Sequence, residues 1–174
     1  MIEVFDDFLT IDEIDELFKT LRESHWLLEE KVDYSPEKIS EGGAKIRYFK
    51  ELVENTIYWK IFVRLNSLPL IQGKYKFVSH YINAYKNGDI TALHVDESDL
   101  TALIYGNPKW DINWGAETIF TETKSPDTEI IASVIPKPGR LVIFDSSIPH
   151  AGRPPSPSFS NHRYSVAYNL KKIV

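Results

Sequence analysis

The chain has 174 residues, 43% of them apolar and 13% aromatic, enough to bury a core and too apolar for a disordered segment. A formal net charge of −5 without a Lys- or Arg-rich run argues against an obligatory nucleic-acid partner, and no apolar stretch approaches the length that spans a bilayer. Cysteine is absent, which excludes disulfides, zinc–thiolate sites and thiol nucleophiles, so any metal must be held by His, Asp or Glu.

The opening "MIEVFDDFLTIDEIDELF" is acidic and amphipathic and lacks the basic start and apolar centre of a signal peptide, so a cytoplasmic location is expected. "LTIDEIDELFKTLRES" begins with a capping box, Thr10 and Glu13, and carries Ile11, Ile14, Leu17, Phe18 and Leu21 at helical spacing. "SPEKISEGGAK" (residues 35 to 45) is polar and contains Gly42 and Gly43, so it reads as a loop. "KELVENTIYWKIFVRLNSL" returns to a helical pattern. From Lys74 the character changes. "KYKFVSHYINAY", "LTALIY", "AETIFT", "EIIASVIP", "GRLVIFD" and "RYSVAYNL" are short β-branched and aromatic runs separated by Gly, Pro, Asn and Asp. The pattern predicts one α+β, mainly β domain over 1–174. A helical part over about 1–72 would back a double-stranded β-helix, a jelly-roll or cupin-like barrel, over about 74–171. An immunoglobulin-like sandwich would leave the leading helices unexplained.

"TALHVDES" holds His94 and Asp96 two positions apart, so on a strand both point the same way. Alone the pair is a weak signal, better explained as a polar strand end. His150 closes "GRLVIFDSSIPH" where a strand runs into a turn, which in a barrel is the mouth. Two imidazoles and one carboxylate from distant strands form the facial set that leaves up to three positions of an Fe(II) ion open. An anionic chelate would fill two and dioxygen the third. If that chelate is a dicarboxylate, its far end needs a cation. Arg163 lies in the apolar strand "RYSVAYNL" with Ser165 on the same face, and a buried arginine needs an anion. Of the other histidines, His80 falls on the opposite parity from Tyr81, Asn83 and Tyr85, His162 on the opposite parity from Arg163, and His25 follows the first helix; all three read as structural.

Four blocks in order carry a resemblance. "NAYKNGDITALHVD", "LTALIYGNPKWDINWGAETIF", "GRLVIFDSSIPHAGRP" and "RYSVAYNL" resemble the 2-oxoglutarate- and Fe(II)-dependent dioxygenases of the prolyl 4-hydroxylase type. The similarity runs from about Tyr75 to Leu170. It implies that His94, Asp96 and His150 bind Fe(II) and that Arg163, with Ser165, pairs with the C5 carboxylate of 2-oxoglutarate. It also puts Tyr105 on that carboxylate and Tyr85 near the metal-bound end of the cosubstrate. The chain departs from the family pattern at Gly115-Ala116 in place of Gly-Gly, and at Thr118 in place of leucine. Arg163 stands where many collagen-type members have lysine.

The resemblance implies hydroxylation of a C–H bond in a small-molecule or peptidyl substrate, a prolyl residue for example, with O2 consumed, succinate and CO2 released, and ascorbate stimulatory. Asp96 favours hydroxylation, because related halogenases lack that carboxylate. Arg47, Trp114 and Arg153 are candidate substrate contacts, Trp110 stands beside Trp114 as a further wall residue, and residues 35 to 47 read equally as a lid or an ordinary surface loop. Two other classes stay open from the residues: a cupin-type metalloenzyme that does not use 2-oxoglutarate, and a non-catalytic binding module on the same fold.

Overall fold

The computed structural model describes residues 1–24, 45–89 and 91–173, with backbone alone at 45–48. The elements run β1 (Ile2–Phe5), α1 (Ile11–Glu23), β2 (Lys45–Phe49), α2 (Ile57–Asn66), β3 (Tyr75–Tyr85), β4 (Leu100–Tyr105), a 3-10 turn (Ile112–Trp114), β5 (Thr118–Thr121), β6 (Ile130–Val134), β7 (Leu141–Asp145), β8 (His150–Gly152) and β9 (Arg163–Lys172). A larger sheet has the order β1-β7-β4-β9-β3-β2 and a smaller one β6-β5-β8, with every pairing antiparallel. This is the expected double-stranded β-helix backed by two helices.

Both helices start at a threonine. Thr10 completes its capping box, its hydroxyl accepting from Glu13 N–H at 3.3 Å while the Glu13 carboxylate accepts from Thr10 N–H at 2.8 Å. Thr56 caps α2 by accepting from Trp59 N–H. The helical pattern read from residue 50 therefore begins only at Ile57, because Asn55 takes φ +64° and turns the chain before the cap. Ile14, Leu17 and Leu21 of α1 and Ile57, Ile61 and Leu65 of α2 are buried at three- and four-residue spacing and contribute about 2 kcal/mol apiece through burial. Ile11, counted on the apolar face, is 78% exposed.

The helices cover one face of the larger sheet. On its central strands Leu100, Ala102 and Ile104 (β4), Leu141 and Ile143 (β7), Val166, Tyr168 and Leu170 (β9), and Ile82 and Ala84 (β3) pack with them. The alternate residues, among them Leu103, Tyr105, Val142, Phe144 and Ala167, face Phe120 and Val134 of the smaller sheet. Strand alternation thus assigns one parity to the helices and the other to the space between the sheets. Strands β1 and β2 lie in the part expected to be helical, and the last residues of the expected 35–47 segment belong to β2, where Arg47 pairs with Ile82. The rest of that segment, His25 and the Arg47 side chain lie outside the described residues.

His80 faces the helices, as its parity requires. It is 2% exposed and ringed by Phe49 (4.7 Å, stacked), Tyr58, Phe77 and Tyr168, and neither ring nitrogen has a hydrogen-bond partner. Burial pulls its pKa from 6.5 down to about 4. The unfolded chain takes up this proton near pH 6.5 and the native state only near pH 4. This contribution is therefore whole above pH 6.5 and shrinks as pH falls toward 4, by about 3 kcal/mol. His80→Phe should flatten that part of the stability profile. Urea unfolding of both proteins across this pH range checks it, and parallel profiles would contradict the assignment.

Candidate active site

His94 stands in an extended segment outside the named strands, and its backbone forms a bridge with the first residue of β8. His94 N–H donates to the His150 carbonyl at 3.0 Å and His150 N–H to the His94 carbonyl at 2.9 Å. The two imidazoles, side by side across this pair, have ring centres 4.4 Å apart. Two residues on, Asp96 N–H donates to the Ser146 carbonyl, and the Asp96 carboxylate turns toward both rings. Its Oδ1 lies 3.8 Å from His94 Nε2 and its Oδ2 lies 3.6 Å from His150 Nε2. The three side chains each offer a ligand atom, all within 4.8 Å of one another.

The chemistry of these donors suits a metal. His94 Nδ1 is 3.1 Å from the Ala92 carbonyl and His150 Nδ1 is 2.9 Å from the Ile148 carbonyl. A carbonyl only accepts, so each Nδ1 carries the proton and each Nε2 lone pair points at the common centre. Burial, and after it the neighbouring His94, lower the pKa of His150, against the pull of Asp96. The neutral ligand form is favoured.

One cavity joins these histidines to the interior faces of β3 and β9. Tyr81, Asn83 and Tyr85 line it from β3, Arg163 and Ser165 from β9, and Thr118, Leu103, Phe144 and Gly152 close the remaining sides. Arg163 is 1% exposed. Its guanidinium donates to the Ala116 carbonyl (3.0 Å), Thr118 Oγ1 (2.8 Å) and Ser165 Oγ (3.3 Å) and lies over the rings of Tyr85 and Tyr105. Among the described residues no carboxylate lies within ion-pair distance of it. A buried cation held only by neutral acceptors fits an anionic ligand arriving from the cavity. Burial pushes the Tyr85 and Tyr105 hydroxyls above their usual pKa, so both remain donors.

Of the residues singled out in the sequence, His94, His150, Tyr85, Arg163 and Ser165 line this cavity, and Asp96 lies against both histidines. Tyr105 stands behind its wall, donating to Thr118 Oγ1 at 2.7 Å. Trp114 packs with Trp110 and Phe159 outside the cavity, and exposed Arg153 follows Gly152 at the end of β8. Leu103, Phe144 and Gly152 were not foreseen. The parity of β4, β7 and β8 carried the signal, and for Gly152 it is decisive: a Cβ there would sit 2.9 Å from the Tyr85 ring and 3.3 Å from the guanidinium.

Residues 79–171, more than half of the chain, match the 2OG-Fe(II) oxygenase superfamily. The chain belongs to that superfamily. The oxygenase is a 2-oxoglutarate-dependent dioxygenase, with Fe(II), 2-oxoglutarate and O2 as its cofactors and cosubstrates. Membership argues against the two alternatives left open by the residues. Similar solved structures include a Pseudomonas putida prolyl-4-hydroxylase (TM-score 0.66, 18% identity, 99% of this chain and 93% of that one). A second is a Trichoplax adhaerens prolyl hydroxylase in complex with a hypoxia inducible factor oxygen degradation domain peptide fragment (0.64, 18%, 98% and 83%). A third is the viral collagen prolyl hydroxylase of Paramecium Bursaria Chlorella virus-1 (0.62, 21%, 99% and 90%). At these identities the likeness is one of fold. No curated protein sequence matches the oxygenase. No helix among its described residues is long and apolar enough to cross a membrane.

The departure at Gly115-Ala116 has a structural consequence. Ala116 takes φ +65° while its carbonyl receives the Arg163 Nε–H, and a Cβ in that region costs about 1 kcal/mol. Ala116→Gly should raise stability by roughly that amount, measured as the urea midpoint at constant slope. A lowered midpoint would show that the Ala116 methyl packs better than its backbone is strained.

Proposed function

We propose that His94, Asp96 and His150 hold one Fe(II), that Arg163 and Ser165 receive the C5 carboxylate of 2-oxoglutarate, and that the enzyme hydroxylates a C–H bond of its substrate. The observation that carries this reading is the shared cavity: a convergent His, Asp, His set at one side and a buried guanidinium without a carboxylate at the other. When bound, the iron and 2-oxoglutarate supply an oxidant that replaces a C–H hydrogen by hydroxyl, with succinate and CO2 as the other products.

The chain's own residues do the rest. The Ala92 and Ile148 carbonyls hold both imidazoles in the ligating tautomer. Thr118 and the Ala116 carbonyl aim the guanidinium, and the Tyr85 and Tyr105 rings shield it from water. Shielding strengthens its pairing with a carboxylate. Phe144, packed edge-on against His150 at 4.6 Å, and Leu103 keep the wall beside the metal ligands apolar, which protects a reactive oxidant from water. Tyr85 lines the cavity with its ring against the Arg163 guanidinium, which suits its hydroxyl to the bound cosubstrate.

A peptidyl substrate, with a prolyl residue presented to the iron, is the reading that the prolyl hydroxylase neighbours support. Arg153 and Trp114 suit the outer contacts of such a chain. Gly115 and Pro155 bridge the two segments that carry them. A peptide and metabolite screen for substrate-stimulated succinate formation tests the substrate class. Failure of every prolyl peptide beside success of a free metabolite would redirect it.

Two substitutions test the site. His150→Ala should abolish Fe(II) binding under anaerobic calorimetry, whereas His80→Ala and His162→Ala should retain it. Arg163→Ala should keep iron yet weaken 2-oxoglutarate about a hundredfold, on the order of 3 kcal/mol. An unchanged 2-oxoglutarate affinity in that variant would remove Arg163 from the cosubstrate site.

A further inference from the structure

Asp96 lies in a segment with little to fix it. His94 and Val95 are exposed, and the stretch is tied to the barrel by the His94–His150 bridge, by the Asp96 N–H bond to Ser146 and by backbone bonds at Asp99. Its side chain, in contrast, is 9% exposed and firmly held. Oδ2 accepts from Thr101 Oγ1 at 2.5 Å, and Oδ1 accepts from Tyr81 at 3.4 Å. Thr101 Oγ1 is 2.8 Å from Ser146 Oγ, and Ser146 Oγ is 2.7 Å from Ser98 Oγ. Thr101 and Ser146 are wholly buried.

The direction of this chain is forced. An ionised carboxylate only accepts, so the single Thr101 proton lies on Asp96. Thr101 can then only accept from Ser146, and Ser146, its own proton spent, only from Ser98. Thr101 and Ser146 point their protons in series toward one carboxylate oxygen, each polarising the next, and Ser98, which also reaches Asn169 Oδ1 (3.3 Å) and the Leu100 carbonyl (3.4 Å), stands at the head of the chain. None has another role in the site described above, and the sequence reading singled out none of them.

We infer that Thr101, backed by Ser146 and Ser98, is a positioning residue that commits one oxygen of Asp96 to the protein, so that the other, touched only by the longer Tyr81 bond, would serve one-point ligation of the metal. One-point ligation keeps open the positions that 2-oxoglutarate and O2 need. The inference rests on the metal site proposed above, and partners of this kind typically govern metal affinity by ten- to a hundredfold.

Co(II) titration without 2-oxoglutarate or O2, read by visible absorption, tests it apart from turnover. Thr101→Val should weaken Co(II) at least about tenfold and alter its absorption bands, and Thr101→Ser should restore both. Ser146→Ala should shift the affinity in the same direction by a smaller factor, and it serves as the test if Thr101→Val does not fold. Unchanged affinity and bands in Thr101→Val, or in Ser146→Ala where that variant stands in, would overturn the relay. Asp96→Ala separates the two levels: if Co(II) binds equally well without Asp96, the metal site and the relay fall together. If it needs Asp96 but ignores Thr101 and Ser146, only the relay falls.

Discussion

Two backbone hydrogen bonds, exchanged between His94 and His150, set the geometry of the whole site. They are a fragment of sheet one pair long, joining an extended segment outside the named strands to a strand of three residues. A directly paired cross-strand couple places its side chains on the same face a few ångströms apart, which is why the two rings meet without a dedicated element to carry them. The cost of ordering the 91–99 segment falls on few contacts. The Asp96 N–H bond to Ser146 and the carboxylate's own hydroxyl partners extend the same zipper. Local order here comes from polar bonds and little from buried apolar surface.

Behind that couple the larger sheet divides two tasks by parity. On β3, β4, β7 and β9 one set of alternate residues holds the helices and the other lines the space toward the smaller sheet. Stability and chemistry can therefore change independently along the same strands. Tyr164 and Ser165 illustrate the division: adjacent in sequence, they lie in the helix-facing core and in the cavity. His80 and Tyr81 divide in the same way, one caged among aromatic rings and the other at the site.

Parity is also why so much was legible beforehand. It separated His80 from Tyr81, Asn83 and Tyr85, put Arg163 with Ser165, and found six strands whose β-branched and aromatic runs are long enough to register. What it missed was short or locally overridden. Strand β8 has three residues, too few for a period to show, and β1, no shorter than the β5 that did register, hides in an acidic stretch held by pairing Ile2 to Phe144. The helical pattern from residue 50 gave way to a positive φ at Asn55, which a side-chain period cannot reveal. Tyr105 has the right parity for the cavity but lies one layer too deep, since Thr118 occupies the space before it. Depth along a barrel is set by register between sheets, and one strand read alone contains no record of it.

The solitary guanidinium of Arg163 has a consequence for the protein at rest. Among the described residues this desolvated cation is supported by hydroxyls, a carbonyl and two π faces, with no carboxylate at ion-pair distance. Any carboxylate that enters relieves that burden in the native state alone, so occupancy and fold become linked quantities. At a hundred times its dissociation constant such a ligand adds about 2.7 kcal/mol to the native state, a large part of a small domain's margin.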